Sequence, residues 1–274
     1  MSYQFSNKSQ IIRTQAGIGP HYNAADIIGF FWIQITGLVP RRMAAWAIAA
    51  VFFAGCLAGS SLAAEVPVTT VETFGTVGSN EGGWTWGTGT EEFVESNGNP
   101  GRYLRETYLV TFTPRASTSF GVRSVFTGDY HARNVASVGI DMAIASVSGD
   151  AVGRTVTLIL LNDNGTPEDL QDDWGAYTVT SIPIPNTGVV GLAGETDILQ
   201  WTPYDIQVPS RSATLPDGWS WISRNEVRRN GSWARLMRDV DHVGFIMGDP
   251  VPRYPLLMWD VALDNPRITT IEAL

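Results

Sequence analysis

The chain has 274 residues, a formal net charge of −9 and a single cysteine. Polyphosphate and anionic lipid surfaces repel an acidic chain, so this charge argues against nucleic acid and anionic membranes as partners. One cysteine cannot form an intrachain disulfide, so the fold must depend on its hydrophobic core.

Residues 1–40 do not fit the segment that follows them, which has the pattern of an export signal. Signal peptides normally begin at the initiator, yet Met1 lies forty residues upstream of Arg41. One interpretation is that translation begins later, at an alternative codon for Val39, and that 1–40 is a mis-assigned or disordered extension. The other is a real N-terminal helix over Ile27–Leu38, although about 12 apolar residues are too few to span a bilayer alone.

Residues 41–64 have the three parts of a secretory signal peptide. Arg41 and Arg42 form a basic start, a run of small and apolar residues follows, and Ser61–Ala64 supplies a small-residue exit. We therefore predict a mature protein, 65–274, with no transmembrane span, that is secreted, periplasmic or at the cell surface. Its 14 arginines and 26 acidic residues give a net charge of −12.

Cys56 lies inside this signal and allows two interpretations. Phe53–Cys56 resembles a bacterial lipobox, which would make Cys56 a lipid anchor for the mature protein. Alternatively, Cys56 is a small residue of a leader that is removed. Phenylalanine in the first position, where leucine is usual, favours the second interpretation.

The mature region reads as β-strand throughout, because β-branched and alternating runs recur with turn residues between them. The predicted runs are Val66–Phe74, Arg102–Thr113, Val135–Ala145, Arg154–Leu161, Tyr177–Ile184, Tyr204–Val208, Val240–Met247 and Leu256–Leu263. Only Leu236–Val240 suggests a single helical turn. About ten short strands without helices predict one all-β domain over 65–274, an antiparallel β-sandwich or barrel.

Several segments resemble those of a known family. They are Gly83–Gly87 (GWTWG), Ser96–Leu104 (SNGNPGRYL), Phe126–Asp129 (FTGD) and the last strand, Leu257–Ile268 (LMWDVALDNPRI). They resemble bacterial relatives of laminin type IV (laminin B) domains and, more broadly, the galactose-binding-like jelly rolls that include many carbohydrate-binding modules. The resemblance covers most of 72–270 and implies a jelly roll in an exported, often non-catalytic module.

The resemblance also implies a structural calcium ion where the first and last strands meet. The matching positions are Glu72 and Asp264, and the turn over residues 78–81 can add the carbonyl oxygens that calcium prefers. The alternative is that Asp264 and Asn265 only cap a turn before Pro266.

The densest acidic segment, Asn162–Asp173, has the composition of a calcium loop. Asp163, Asp172 and Asp173 are its candidate ligands. It is not an EF-hand, because Pro167 stands where glycine is needed and no helices flank it. The alternative is a solvated hairpin tip.

Eight tryptophans remain after residue 64. Trp84 and Trp86 alternate, as do Trp219 and Trp221, so each pair faces one side of a strand, and the core is the expected place for both pairs. Trp174 and Trp233 occur in polar, turn-like contexts and are predicted to be exposed. With Tyr177 they form the candidate ligand-binding set, because sugars stack their C–H faces on aromatic rings beside polar groups.

The sequence gives little support for catalysis. It has no G-x-S-x-G or H-E-x-x-H motif and no cysteine nucleophile in the mature part. His131 and His242 are the only mature histidines, and each is expected at the surface or at a strand edge. We therefore predict that the protein is not an enzyme.

Three functions remain open on the sequence. The first is an exported, calcium-stabilised module that binds glycan or extracellular-matrix or cell-surface material. The second is a structural or adhesive domain whose ligand is another protein. The third is a glycan-active hydrolase or lyase.

Overall fold

The computed structural model of the chain describes residues 64–75, 80–119, 121–169, 172–188, 198–223, 231–250 and 254–273. Residues 1–63, which include nearly all of the predicted signal and Cys56, lie outside these ranges. The described strands are β1 (Glu65–Val71), β2 (Trp84–Thr85), β3 (Glu92–Gly98), β4 (Gly101–Thr111), β5 (Arg115–Thr118), β6 (Val135–Val147), β7 (Thr155–Asn162), β8 (Trp174–Pro183), β9 (Thr202–Gln207), β10 (Trp219–Ser223), β11 (His242–Met247) and β12 (Leu257–Ala273).

These strands form two antiparallel sheets that pack face to face. The first sheet has the order β3-β4-β12-β6-β9, and β1 also pairs with β12. The second sheet has the order β10-β8-β7-β11-β5-β2. The prediction of an all-β, antiparallel sandwich is confirmed.

Alternation along the strands builds the core between the sheets. On β7 and β12 the inward side chains are Val156, Leu158, Leu160, Trp259, Val261 and Leu263, all at most 1% exposed. Burying one such aliphatic side chain contributes about 1.5–3 kcal/mol. The core therefore stabilises the fold without a disulfide.

The tryptophan pairs lie where alternation predicts. Trp84 and Trp86 are both buried in the core. Trp219 is buried and Trp221 packs half-buried against the same core. Both pairs are confirmed as packing residues.

The first and last strands of the domain are neighbours. β1 runs antiparallel to the C-terminal part of β12, with Glu65 opposite Ala273 and Val71 opposite Arg267. This confirms the prediction that the opening and closing segments meet. Among the described strands, β1 pairs only with β12, so its other edge carries no strand.

Pro67 occupies that free edge of β1. The Glu72 amide donates to the Pro266 carbonyl at 2.8 Å, so these two residues form a hydrogen-bonded pair. In an antiparallel ladder every second pair is hydrogen-bonded, which fixes the pattern for the rest of β1 and β12. Pro67, opposite Ile271, falls in a pair that does not exchange them, and its nitrogen faces outward. A proline there removes a donor that another strand would need.

One short helix, α1 (Trp233–Leu236), precedes β11. The predicted turn at Leu236–Val240 begins three residues too late, because Ser232 caps the helix: its hydroxyl accepts a hydrogen bond from the Arg235 amide at 3.2 Å. No helix within the described ranges is long and apolar enough to cross a membrane.

Candidate functional site

The predicted exposure of Trp174 and Trp233 is wrong. Trp174 is 6% and Trp233 is 1% exposed. Their indole N–H groups donate to Asn162 Oδ1 and to the Pro209 carbonyl, at 3.1 and 2.9 Å. Acceptors that the fold brings from 12 and 24 residues away bond to the two indole N–H groups, and the rings are buried, so neither ring offers a face to a sugar.

Tyr177 does not join the other two predicted ligand residues. It is half-buried on the outer face of the second sheet, opposite Ile159 and against the cluster of Ile159, Leu161 and Ile246. Trp174 and Trp233 instead belong to the core between the sheets. The predicted aromatic set is therefore not brought together.

The two carboxylates predicted at the strand ends already accept protein hydrogen bonds. Glu72 Oε2 accepts from the Gly82 amide at 3.2 Å. Asp264 is fully buried, and its two oxygens accept from the amides of Asn99 and Asn265, at 2.6 and 2.7 Å. Asp264 therefore holds the turn between β3 and β4 at Asn99. Residues 264–266 lie within β12, so the alternative interpretation, a turn capped before Pro266, is also wrong.

The acidic loop is tied together by its own side chains. Asp163 Oδ1 accepts from the Gly165 amide at 2.8 Å, and Asp172 accepts from Asn164 and Thr166. Asp173 is 3% exposed. In the part of the chain that the structure describes, no group of three or more His, Cys, Asp or Glu is placed to hold a metal ion. Calcium stays a prediction with no located site.

Asp241 is the carboxylate beside this loop whose environment is least favourable to its charge. Its Oδ2 accepts from Asn162 Nδ2 at 2.8 Å and from the Asp163 amide at 3.1 Å. Burial, together with the charges of Asp239 and Asp163, raises the pKa of Asp241 to about 6.

The predicted surface position of His242 is also wrong. His242 is 1% exposed and its Nε2 contacts the Arg115 guanidinium. It lies on β11 beside the buried residues of the second sheet's outer face, so it is a packing residue. His131 is half-buried.

The outer face of the first sheet presents a different arrangement, centred on Tyr108. Trp259 pairs with Leu109 and Val261 pairs with Glu106, so Thr107 and Tyr108 together oppose Asp260 in a β-bulge. The bulge reverses the alternation of β4, so that Leu104 and Leu109 both pack against the core. Tyr108 consequently points outward and is 77% exposed.

The backbone of Tyr108 is strained. Its φ is 58°, in the left-handed region that costs a residue with a side chain roughly 1–2 kcal/mol. Such strain clusters at functional sites, where a side chain must be aimed in one direction. An exposed aromatic ring does not offset this cost by packing, so the strain marks Tyr108 as a candidate binding residue.

A bidentate ion pair lies beside Tyr108 on the same face. Arg105 Nε and Nη2 donate to the two carboxylate oxygens of Asp260, at 2.8 and 2.6 Å. Both side chains are 17% exposed. The pair therefore holds a fixed donor and a fixed acceptor near the surface, directly at the bulge.

Apolar side chains continue the surface beyond Tyr108. Val110 lies opposite Met258, and these residues are 60% and 44% exposed. Phe112 and Leu256 extend the same region at 46% and 55% exposure. We call Tyr108, Val110, Phe112, Leu256 and Met258 the Tyr108 patch. Because the register places these exposed apolar side chains side by side, we treat the Tyr108 patch as a candidate interaction surface.

The comparisons with known proteins give no family assignment. No family model matches the chain, and no curated protein matches it. Three chains of solved structure match. One is the conserved carbohydrate esterase of the Shiga toxin-encoding bacteriophage phi24B, at 12% identity and a TM-score of 0.34, covering 73% of this chain and 99% of that chain.

This neighbour contradicts the prediction that the chain is not an enzyme, because it is itself described as an esterase. We withdraw that prediction. A TM-score of 0.34 at 12% identity does not transfer the neighbour's activity to this chain.

Proposed function

We propose that this chain is an exported β-sandwich that binds glycan on the outer face of its first sheet. The observation that carries the proposal is Tyr108: an aromatic ring, 77% exposed, aimed outward by a bulge and held on a left-handed backbone. Backbone strain that packing does not offset supports a role for this ring in binding.

The chemistry around Tyr108 suits a sugar. An aromatic face accepts the C–H face of a pyranose ring, and a few fixed polar groups then orient the hydroxyls. Arg105 supplies N–H donors and Asp260 supplies acceptor oxygens, already held by their bidentate contact. This prearrangement lowers the entropy cost of binding.

The same surface supports a second candidate, a protein ligand. Val110, Met258 and Leu256 make the Tyr108 patch more apolar than a sugar requires. An adhesive domain would bury these aliphatic side chains against a partner. This candidate differs from the first in needing the aliphatic residues more than the ion pair.

Affinity electrophoresis through gels containing neutral polysaccharides tests the proposal. Wild-type chain is expected to be retarded by at least one polysaccharide, and Tyr108→Ala is expected to lose about tenfold in affinity, about 1.4 kcal/mol. Val152→Ala is the matched control, because Val152 is 92% exposed but lies outside the patch. Retardation that survives Tyr108→Ala would remove the ring from the site.

The laminin B-like family, export and calcium stabilisation complete the proposal. They rest on the sequence segments described above. Mass spectrometry of the native mature protein tests export and calcium together: the expected result is an N-terminus near Ala64 or Glu65, with a bound ion that a chelator removes. A diacylated Cys56 would replace free secretion by membrane anchoring.

A further inference from the structure

We infer that the ligand of the Tyr108 site is an extended, uncharged oligosaccharide chain, bound along β4 across two aromatic platforms, and not a single terminal sugar. This inference rests on the proposed glycan-binding function and adds the length and charge class of the ligand.

The second platform is Trp201. Its ring makes an edge contact with the Tyr103 ring at a centroid distance of 5.4 Å, and its indole N–H donates to the Asn97 carbonyl at 3.3 Å. Tyr103 is buried beneath it, together with Ala143 and Ala262, while Trp201 itself is only partly buried. These contacts hold the Trp201 ring in one place on the outer face.

Trp201 and Tyr108 lie on the same side of the sheet. Tyr103 and Arg105 are two residues apart on β4, so both side chains point outward, and the bulge turns Tyr108 to that face as well. Arg105 is opposite Ala262, one of the small residues beneath Trp201. The order along the face is therefore Trp201 over Tyr103, then the Arg105–Asp260 pair, then Tyr108.

The spacing gives the length of the ligand. Tyr103 and Tyr108 are five residues apart on β4, which corresponds to roughly 15 Å along a strand and the length of about three sugar residues. The ion pair occupies the middle of this interval. One sugar ring cannot reach both platforms, whereas a short chain can stack at each end and bond to Arg105 and Asp260 between them.

The charge of the protein indicates the charge class of the ligand. The mature region carries 14 arginines and 26 acidic residues, a net charge of −12. Arg105, the cation of the site, is already neutralised by Asp260. A polyanionic glycan would be repelled by this field, and among the described residues the cation that lies between the platforms is already paired, so an uncharged chain is the expected ligand.

The experiment is a calorimetric titration series with oligosaccharides of increasing length. The polysaccharide that retards the wild-type chain in gels supplies a ladder from mono- to hexasaccharide. The expected result is negligible binding of the monosaccharide, affinity that rises with each unit to about three, and little gain beyond. Tyr108→Ala and Trp201→Ala should each weaken hexasaccharide binding about tenfold.

The outcomes separate this inference from the proposed function. If no polysaccharide retards the chain, the glycan-binding function itself fails. If the monosaccharide binds as tightly as the hexasaccharide, glycan binding stands and the extended site is wrong. Tighter binding of a sulfated or uronate-rich polysaccharide would overturn the assignment of an uncharged ligand. The ladder on wild-type protein decides the length even if Trp201→Ala fails to fold.

Discussion

The outer face of the first sheet has two ends that share β12 but use their polar groups in opposite ways. At one end Asp141 and Asp264 are buried, and each carboxylate accepts hydrogen bonds from neighbouring protein groups. At the other end Tyr108 is 77% exposed on a strained backbone. The satisfied end is buried and turns its carboxylates to protein donors, whereas the strained end keeps a ring and an ion pair at the surface.

The largest expected effect comes from a substitution that removes Arg267 from the hydrogen-bond network of the satisfied end. Arg267 Nη1 donates to Asp141 Oδ1 at 2.6 Å, and the same guanidinium binds both oxygens of Asp205. Arg267→Ala leaves Asp141 buried without its cation, next to Asp264, and is expected to lower the free energy of unfolding by about 3 kcal/mol. Urea denaturation measures this loss.

Arg123→Ala is the control for that variant. Arg123 is 80% exposed and lies 3.8 Å from Asp239, so its loss should change stability by no more than about 0.5 kcal/mol. Equal effects of the two substitutions would mean that the Arg267 network is not structural. Glycan binding by folded Arg267→Ala protein should be unchanged.

The second effect separates stability from binding at the strained end. Glycine adopts a φ of 58° without a steric penalty, so Tyr108→Gly should be about 1 kcal/mol more stable than Tyr108→Ala, which keeps the strain. Both variants lose the ring and should lose glycan binding to the same extent. Paired urea melts and affinity gels measure the two properties; a Tyr108→Gly variant less stable than Tyr108→Ala would show that the backbone is not strained.

The third effect is a pH dependence of stability that comes from Asp241, a carboxylate outside both ends of this face. The pKa of Asp241 is raised to about 6 from its ordinary value of 3.8, chiefly by burial. The folded state therefore binds this proton more tightly than the unfolded state, so this group lowers stability as the pH rises from about 4 to about 7. Asp241→Asn should flatten that slope.

The measurement is urea unfolding at pH 5 and pH 8. Because Asp241 is only half-buried, we expect a modest gain for Asp241→Asn, about 1 kcal/mol at pH 8 and about half of that at pH 5, where the carboxyl is still protonated in the folded state but already ionised in the unfolded state. Asparagine can still accept from Asn162 and from the Asp163 amide through one oxygen. A gain of the same size at both pH values would point to packing and not to charge.

The smallest effect on stability is expected at the free edge of β1. Pro67→Thr should change the free energy of unfolding by less than about 0.5 kcal/mol, because Thr suits a strand and no bond to β12 is altered. It restores the missing donor and should allow edge-to-edge association. Light scattering during size-exclusion chromatography measures the molar mass of the variant. If the variant has the same molar mass as wild type at high concentration, Pro67 does not prevent edge-to-edge association.

The strands could be predicted because residues 65–274 carry long β-branched runs, and all eight predicted runs overlap observed strands. The short strands β2, β3, β5 and β10 escaped because they have few residues or polar ones, such as Glu92–Gly98. Their pairing comes from tertiary contacts that no local pattern encodes.

The site could not be predicted for two physical reasons. Strict alternation places Tyr108 on the same face as Leu104, in the core, and only the bulge opposite Asp260 turns it outward. Conversely, polar neighbours in sequence suggested that Trp174 and Trp233 were exposed. In the fold, Asn162 and the Pro209 carbonyl, 12 and 24 residues away in sequence, accept from their indole N–H groups, so tertiary contacts that local polarity does not encode allow both rings to be buried.

The position of β12 has a consequence for how the chain is made. This last strand pairs with β1, β4 and β6, so the middle of the first sheet is absent until residues 257–273 are available. The contacts that complete this sheet therefore join residues from the two ends of the described domain. Pairing between segments so far apart in sequence carries a large loop-closure entropy cost, so the first sheet is expected to form more slowly than the contacts within each hairpin.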